Sequence, residues 1–197
     1  MSRRLLLFLF LFGSYVSIGQ IIDPVNNFPL KNVDGKQVSL SDYSDAKGFI
    51  LIFTCNHCPF AKLYPPRLNA LLRKFKALGV PLLAISSTDT VEYEEDGFLQ
   101  MAEKARREKF EFPYLMDGKQ ALARQFGAQK TPHAYVIWKE QKNWRICYDG
   151  AIDDNGAHPD QVNESYVREA VEKLLAGQPV KKAKTASIGC QIYFRKP

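Results

Sequence analysis

What the chain lacks narrows its reading first. No apolar run reaches the roughly 20 residues that a membrane-spanning helix needs; the run at residues 5–12 breaks at Gly13-Ser14. Arg3 and Arg4 precede that run and Ser17 and Gly19 follow it, the order of parts in a secretory leader cut before Gln20. Residues 1–19 are therefore expected to be a signal peptide, with the protein secreted to a periplasm or to the extracellular space. Contact with a membrane is expected only through that cleaved segment. No cysteine stands directly after the leader, which argues against a lipid anchor. Internal repeats are absent. No aromatic residues interleave with Lys181, Lys182 and Lys184, so that cluster reads as a solvated basic tail and no nucleic-acid partner is expected. Loss of Arg3 and Arg4 takes the net charge from +6 to about +4, a mildly basic surface.

Residues 20–180 suit one domain with a full core, and residues 181–197 form a basic tail with a possible edge strand. The segment 27–43 alternates as a β-hairpin about Asp34-Gly35. Residues 48–54 are a short, continuous apolar run, which predicts a buried central strand entering Cys55 directly. After Pro59 the apolar period becomes helical through Leu68, Leu71, Leu72 and Phe75. The cysteine motif is thus expected to open a helix that Pro65-Pro66 kinks. A second strand at 80–86 makes a parallel crossover. Helices are predicted at 94–109, from Ala121 to Phe126, and through Val167, Ala170, Val171 and Leu174. The segments 134–138 and 144–148 read as a hairpin whose Trp138 and Trp144 pack on the sheet. The order of elements predicts an α/β fold, a mixed central sheet with helices on both faces.

The chain has four cysteines, and Cys55 and Cys58 are too close together for a staple to gain much by closing a loop. Their spacing points to redox work or a metal. A cysteine at a helix start meets free N–H groups and the positive end of the dipole, which favour thiolate. Cys55 is therefore expected to attack and Cys58 to resolve. His57 and Asn56 stand between them as tuning residues, and an imidazolium there raises the potential. Thr131-Pro132 precedes a strand, where a cis proline would set a backbone edge beside the sulfurs. Cys147, inside a strand, reads as a buried thiol or as half of a disulfide. Cys190 is open to a structural bridge, a relay of oxidation or a free thiol. No cofactor and no bound metal are expected.

With Cys55-Asn56-His57-Cys58-Pro59, the hairpin 34–43, the insertion 80–109, Gly150-Ala151-Ile152-Asp153-Asp154 and Ile188-Gly189-Cys190 together, the chain resembles the thioredoxin-like redoxins. The resemblance is to the branch shared by alkyl hydroperoxide reductase/thiol-specific antioxidant proteins and TlpA/ResA-like oxidoreductases, and it covers nearly all of the mature chain. It implies a thioredoxin-like fold with an N-terminal hairpin and an inserted strand and helix. It also implies a cis Pro132 that lines a substrate groove with Thr131, an acid at Asp89 near the cysteines, and protein thiols or disulfides with a redox partner protein as partners. Ile52 stands where peroxiredoxins carry a threonine, a departure from thiol-peroxidase chemistry. That peroxidase reading is one alternative. The other is a copper or zinc carrier that uses Cys55, Cys58, His57 and His133.

Overall fold

The computed structural model describes residues 25–195; the expected signal peptide lies outside the described residues. Strands β1 (Leu30–Asn32) and β2 (Gln37–Val38) form the expected antiparallel hairpin, with Gly35 at φ +87° and Asp34 accepting the Lys36 N–H at 3.0 Å. Strand β3 (Gly48–Thr54) is buried along its whole length. Helix α1 (Pro65–Phe75) carries the chain to β4 (Leu82–Ser86), which runs parallel to β3. Helix α2 (Phe98–Arg107) leads to β5 (Tyr114–Met116), and α3 (Ala121–Phe126) leads to the short β6 (Lys130–Thr131). The hairpin of β7 (His133–Glu140) and β8 (Asn143–Gly150), helix α4 (Tyr166–Leu175) and β9 (Cys190–Gln191) complete the chain.

The main sheet has the order β2-β1-β5-β4-β3-β7-β8 and is mixed: β3, β4 and β5 are parallel, and β7 is antiparallel to β3. Because β3 is covered on both faces, it needs apolar side chains at every position, which explains its continuous run. Ile50 and Ile52 enter one core with Leu68 and Leu72 of α1, Met101 of α2 and Val167 and Val171 of α4. Phe49, Leu51 and Phe53 enter the other, with Leu122 and Phe126 of α3. Among the described residues, helices thus lie on both faces, three on one and one on the other. Each fully buried residue of this kind contributes about 1.5–3 kcal/mol, so β3 anchors the site that follows it.

Two points of the sequence reading change. The cysteine motif does not open α1, which begins at Pro65. Neither Pro65 nor Pro66 has an N–H, so the bonds that would carry a helix back through Ala61 and Lys62 are missing. Only a 3-10 turn at Ala61–Leu63 and one bond from the Lys62 N–H to the Cys58 carbonyl, 3.1 Å, bridge the gap. Strand β5 was not expected; three residues are too few to show a period, and Tyr114 and Leu115 point into opposite cores. The possible edge strand of the tail is the two-residue β9, which lies outside the main sheet. Lys184 bridges Asp149 on the outer strand β8, and β9 pairs antiparallel with β6, Thr131 opposite Cys190.

Candidate active site

The site is built where β3 ends. Cys55 and Cys58 are 1% and 0% exposed and pack with Ala61 and Cys190. Thr131 reaches both: its hydroxyl lies 3.1 Å from the Cys55 sulfur, and its carbonyl oxygen lies 3.1 Å from the Cys58 sulfur. Thr131-Pro132 is cis, as expected. All four cysteines are unbridged thiols in the structure.

Between the sulfurs, Asn56 is held from three sides. Its N–H donates to Asp96 Oδ1, its amide nitrogen donates to the Glu95 carbonyl at 2.7 Å, and its amide oxygen accepts the Tyr114 hydroxyl at 3.0 Å. Asn56 therefore acts by fixing the loop. His57 Nδ1 is bonded to Asp96 Oδ2, and its Nε2 lies 4.0 Å from the Cys55 sulfur. With Nδ1 facing the carboxyl group, that nitrogen carries the proton and Nε2 is the one free to accept another. Tyr93 stacks on the His57 ring, with centroids 3.9 Å apart and planes 9° apart, which stops the ring from rotating away. Asp96 is 0% exposed. Burying a carboxyl group is costly unless it is hydrogen-bonded, and here Asn56 and His57 supply the bonds.

Asp96 was missed in the sequence. It ends the acidic stretch Glu94-Glu95-Asp96 before Gly97, in a segment read as the start of a helix, and only its lack of exposure sets it apart. Asp89, expected near the cysteines, instead bonds Arg195 at 2.7 Å and the Val91 N–H at 3.0 Å. A strongly basic side chain two residues from the C-terminus takes it, and Asp96 is the acid beside the motif. His133 is likewise turned elsewhere: its Nε2 lies 2.6 Å from Asp149 and its ring stacks on Tyr135, so it is no partner to the sulfurs. Cys147 sits at the bulge of the β7–β8 ladder, buried, and burial raises its pKa. It is not bridged to Cys190.

The charge also lies differently from the expectation. Cys58, not Cys55, is the favoured thiolate of the reduced pair. It accepts a hydrogen bond from Cys55 first, then from the Cys190 thiol and the Ala61 and Cys190 N–H groups; these outweigh burial and bring it down to about 4. Cys55 is pushed up, because it donates to Cys58 and is buried. The displaced helix start acts in the same direction. With α1 beginning at Pro65, no α-helix N-terminus faces Cys55, whereas Cys58 collects the local N–H groups. Among the described residues, one group of three ligating side chains has donor atoms within 4.8 Å of one another: Cys55, His57 and Asp96. Both Asp96 oxygens are already engaged by Asn56 and His57, so this set suits proton transfer better than metal binding.

The architecture is that of a thioredoxin-like fold, with a paired-thiol motif where the central strand ends and a cis proline beside it. The chain belongs to the AhpC/TSA family, whose family model matches residues 21–143. It is similar to the thiol-disulfide oxidoreductase ResA of Bacillus anthracis, 27% identical over 62% of this chain and 66% of that protein. ResA of Bacillus thuringiensis subsp. konkukian is 25% identical, and the chain spans 62% of its length. Among solved structures, an uncharacterized conserved protein from Geobacillus kaustophilus is 32% identical with a TM-score of 0.81, covering 92% of this chain and 95% of that one. The exposed lipoprotein thioredoxin Etrx1 of Streptococcus pneumoniae shares the fold at a TM-score of 0.55 and 21% identity, over 77% of this chain and 99% of its own.

Proposed function

We propose that the protein is a thiol–disulfide oxidoreductase that exchanges disulfides with protein substrates through Cys55 and Cys58, outside the cytoplasm. The observation that carries this is the chain Asp96–His57–Cys55 with Cys58 within hydrogen-bonding reach of Cys55. Nucleophile, base and orienting acid are in the order that activates a thiol. His57 Nε2 takes the Cys55 proton, and the Asp96 carboxyl group stabilises the imidazolium. Cys55 attacks the substrate disulfide and one substrate sulfur leaves. Cys58, still facing the Ala61 and Cys190 N–H groups when Cys55 is bonded to the substrate, attacks the Cys55 sulfur of the mixed disulfide and releases the second substrate sulfur.

Protein substrates fit the surroundings. Phe60 and Leu63, each 43% exposed, and Ile188, 64% exposed, present apolar surface, and Phe60 and Ile188 line a cavity of about 240 Å³ with Pro132. The leader expected at residues 1–19 and the similarity to ResA support an extracytoplasmic site, where a second redox protein would reset the pair. Because the Cys58 thiolate stabilises the reduced form, the couple is drawn toward the oxidising side of its class. Peroxidase chemistry is less well supported: Ile52, buried in β3 between Ala84 and Ala134, offers no hydroxyl to hold a peroxide. Reduction of a disulfide-bonded protein by the dithiothreitol-charged chain tests the proposal. Cys55→Ser and Cys58→Ser should each abolish catalysis of exchange, and an undiminished rate in either would refute it.

A further inference from the structure

The C-terminal segment is built into the site. Gly189 lies so close to Thr131 that an added Cβ would stand 2.0 Å from the Thr131 carbonyl oxygen. At Gly150 an added Cβ would stand 2.1 Å from Thr185 Oγ1, so two glycines make room for one tail. Thr185 bonds the Tyr148 hydroxyl at 2.6 Å and accepts the Ala151 N–H at 2.9 Å. Beyond β9, Ile192 is 3% exposed in the α3-side core, and its N–H donates to the Gln129 carbonyl at 2.8 Å. Gln120 binds the Tyr193 carbonyl and the Arg195 N–H, each at 2.8 Å. Both flanks of Cys190 are therefore fixed.

Held in this way, β9 pairs with β6 along the backbone edge that leads into cis Pro132. A protein substrate adding a strand beside the cysteines would use the same edge, so the tail occupies it as an internal strand. Cys190 is delivered to the pair, its N–H 3.4 Å from the Cys58 sulfur and its thiol within hydrogen-bonding reach of the same atom. The contacts run Cys55 to Cys58 to Cys190, with Cys58 in the middle.

We propose that Cys190 is a third exchanging thiol, which attacks the Cys55–Cys58 disulfide at Cys58 and moves it to a Cys58–Cys190 disulfide. This rests on the Cys55/Cys58 reading above, which supplies the first disulfide by oxidation of the pair by a substrate or partner disulfide. In the step, Cys190 gives its proton to solvent and its sulfur attacks the Cys58 sulfur. The Cys55–Cys58 bond breaks, and Cys55 leaves as a thiolate beside Thr131 Oγ1 and His57 Nε2. One S–S bond forms and one breaks, with no net oxidation. Burial first, and then the neighbouring Cys58 thiolate, hold the Cys190 proton in the reduced state; the second of these is gone once Cys58 is in a disulfide, which favours attack by the third thiol after the pair is oxidised.

The test oxidises the full chain with one equivalent of oxidised glutathione, alkylates free thiols and maps the non-reduced peptides by mass spectrometry. The wild type should give a Cys58–Cys190 linked peptide beside the Cys55–Cys58 one. Cys55→Ser should give the Cys58–Cys190 linkage with loss of alkylation at both sites, and Gly189→Ala should lose that linkage. If Cys58 and Cys190 of Cys55→Ser remain fully alkylated after oxidation, the third thiol is refuted. Protein exchange that Cys55→Ser and Cys58→Ser abolish, without that linkage, removes Cys190 alone. Exchange that survives both substitutions removes the underlying reading and this inference with it.

Discussion

Acidification gives the most quantitative prediction, because it acts on the charge that the site holds. With Cys58 down at about 4, the reduced pair is anionic at neutral pH, whereas a thiol at the usual value of about 8.5 is mostly protonated there. Three pH units of stabilisation at about 1.4 kcal/mol each favour the reduced form by at most about 4 kcal/mol. For a two-electron couple this raises the potential by about 90 mV over the same pair with ordinary thiols. The sign follows from a depressed pKa in the reduced state: the stabilisation is present above the ordinary thiol value and is lost as pH falls through about 4. Between pH 5 and 8, reduction then takes up one proton per two electrons, and the potential should fall by about 30 mV per pH unit. Equilibration with glutathione buffers, read by alkylation, measures this slope, and thiolate absorbance in the far ultraviolet locates the titration. A slope of about 59 mV per pH unit across that range, with a thiolate that forms only near pH 8.5, would refute the argument.

Other perturbations have defined outcomes. Asp96→Ala leaves the buried Asn56 N–H and the His57 ring without their partner; at about 1–3 kcal/mol for each unsatisfied group, urea unfolding should show a loss of roughly 2–5 kcal/mol. His57→Ala should slow the exchange rate by on the order of 100-fold, with the loss in kcat larger than the change in KM, as expected for a proton-transfer group. Ile192→Ala opens a buried position under the tail and should cost about 2–4 kcal/mol; Cys190 alkylation in the reduced protein should become faster. Burial opposes ionisation of Asp149, but the His133 hydrogen bond and Lys184 outweigh it and hold the carboxyl group below its usual range. Its stabilisation is present above the unfolded-chain value and is lost as pH falls through the lower folded one, so His133→Phe should weaken the acid dependence of unfolding measured by circular dichroism.

The elements that could be read in advance are those whose physics is local. The run from Gly48 to Thr54 is apolar because two cores cover β3, and the turn at Asp34-Gly35 needs a positive φ. Cys55, Cys58 and Thr131-Pro132 were legible from spacing and residue type. The helix start was misjudged because the paired prolines were taken to kink a helix already under way, when their missing donors delay it to Pro65. Residue type did not separate Asp96 from Asp89, since both are acids in a polar stretch, and which one meets the motif depends on His57 and Arg195 from distant parts of the chain. The preference for charge on Cys58 depends first on the Cys55 hydrogen bond and then on Cys190, which lies 132 residues away and meets it through the pairing of β9 with β6. Tertiary contacts of that range leave no periodic trace.

The central claim is that Cys55 and Cys58 exchange disulfides with proteins. It is tested most directly by trapping: the reduced Cys58→Ser protein, incubated with a disulfide-bonded substrate, should accumulate a mixed disulfide through Cys55, because its resolving sulfur is gone. A substrate adduct at Cys147, or none at all while the wild type still turns over, would contradict the account.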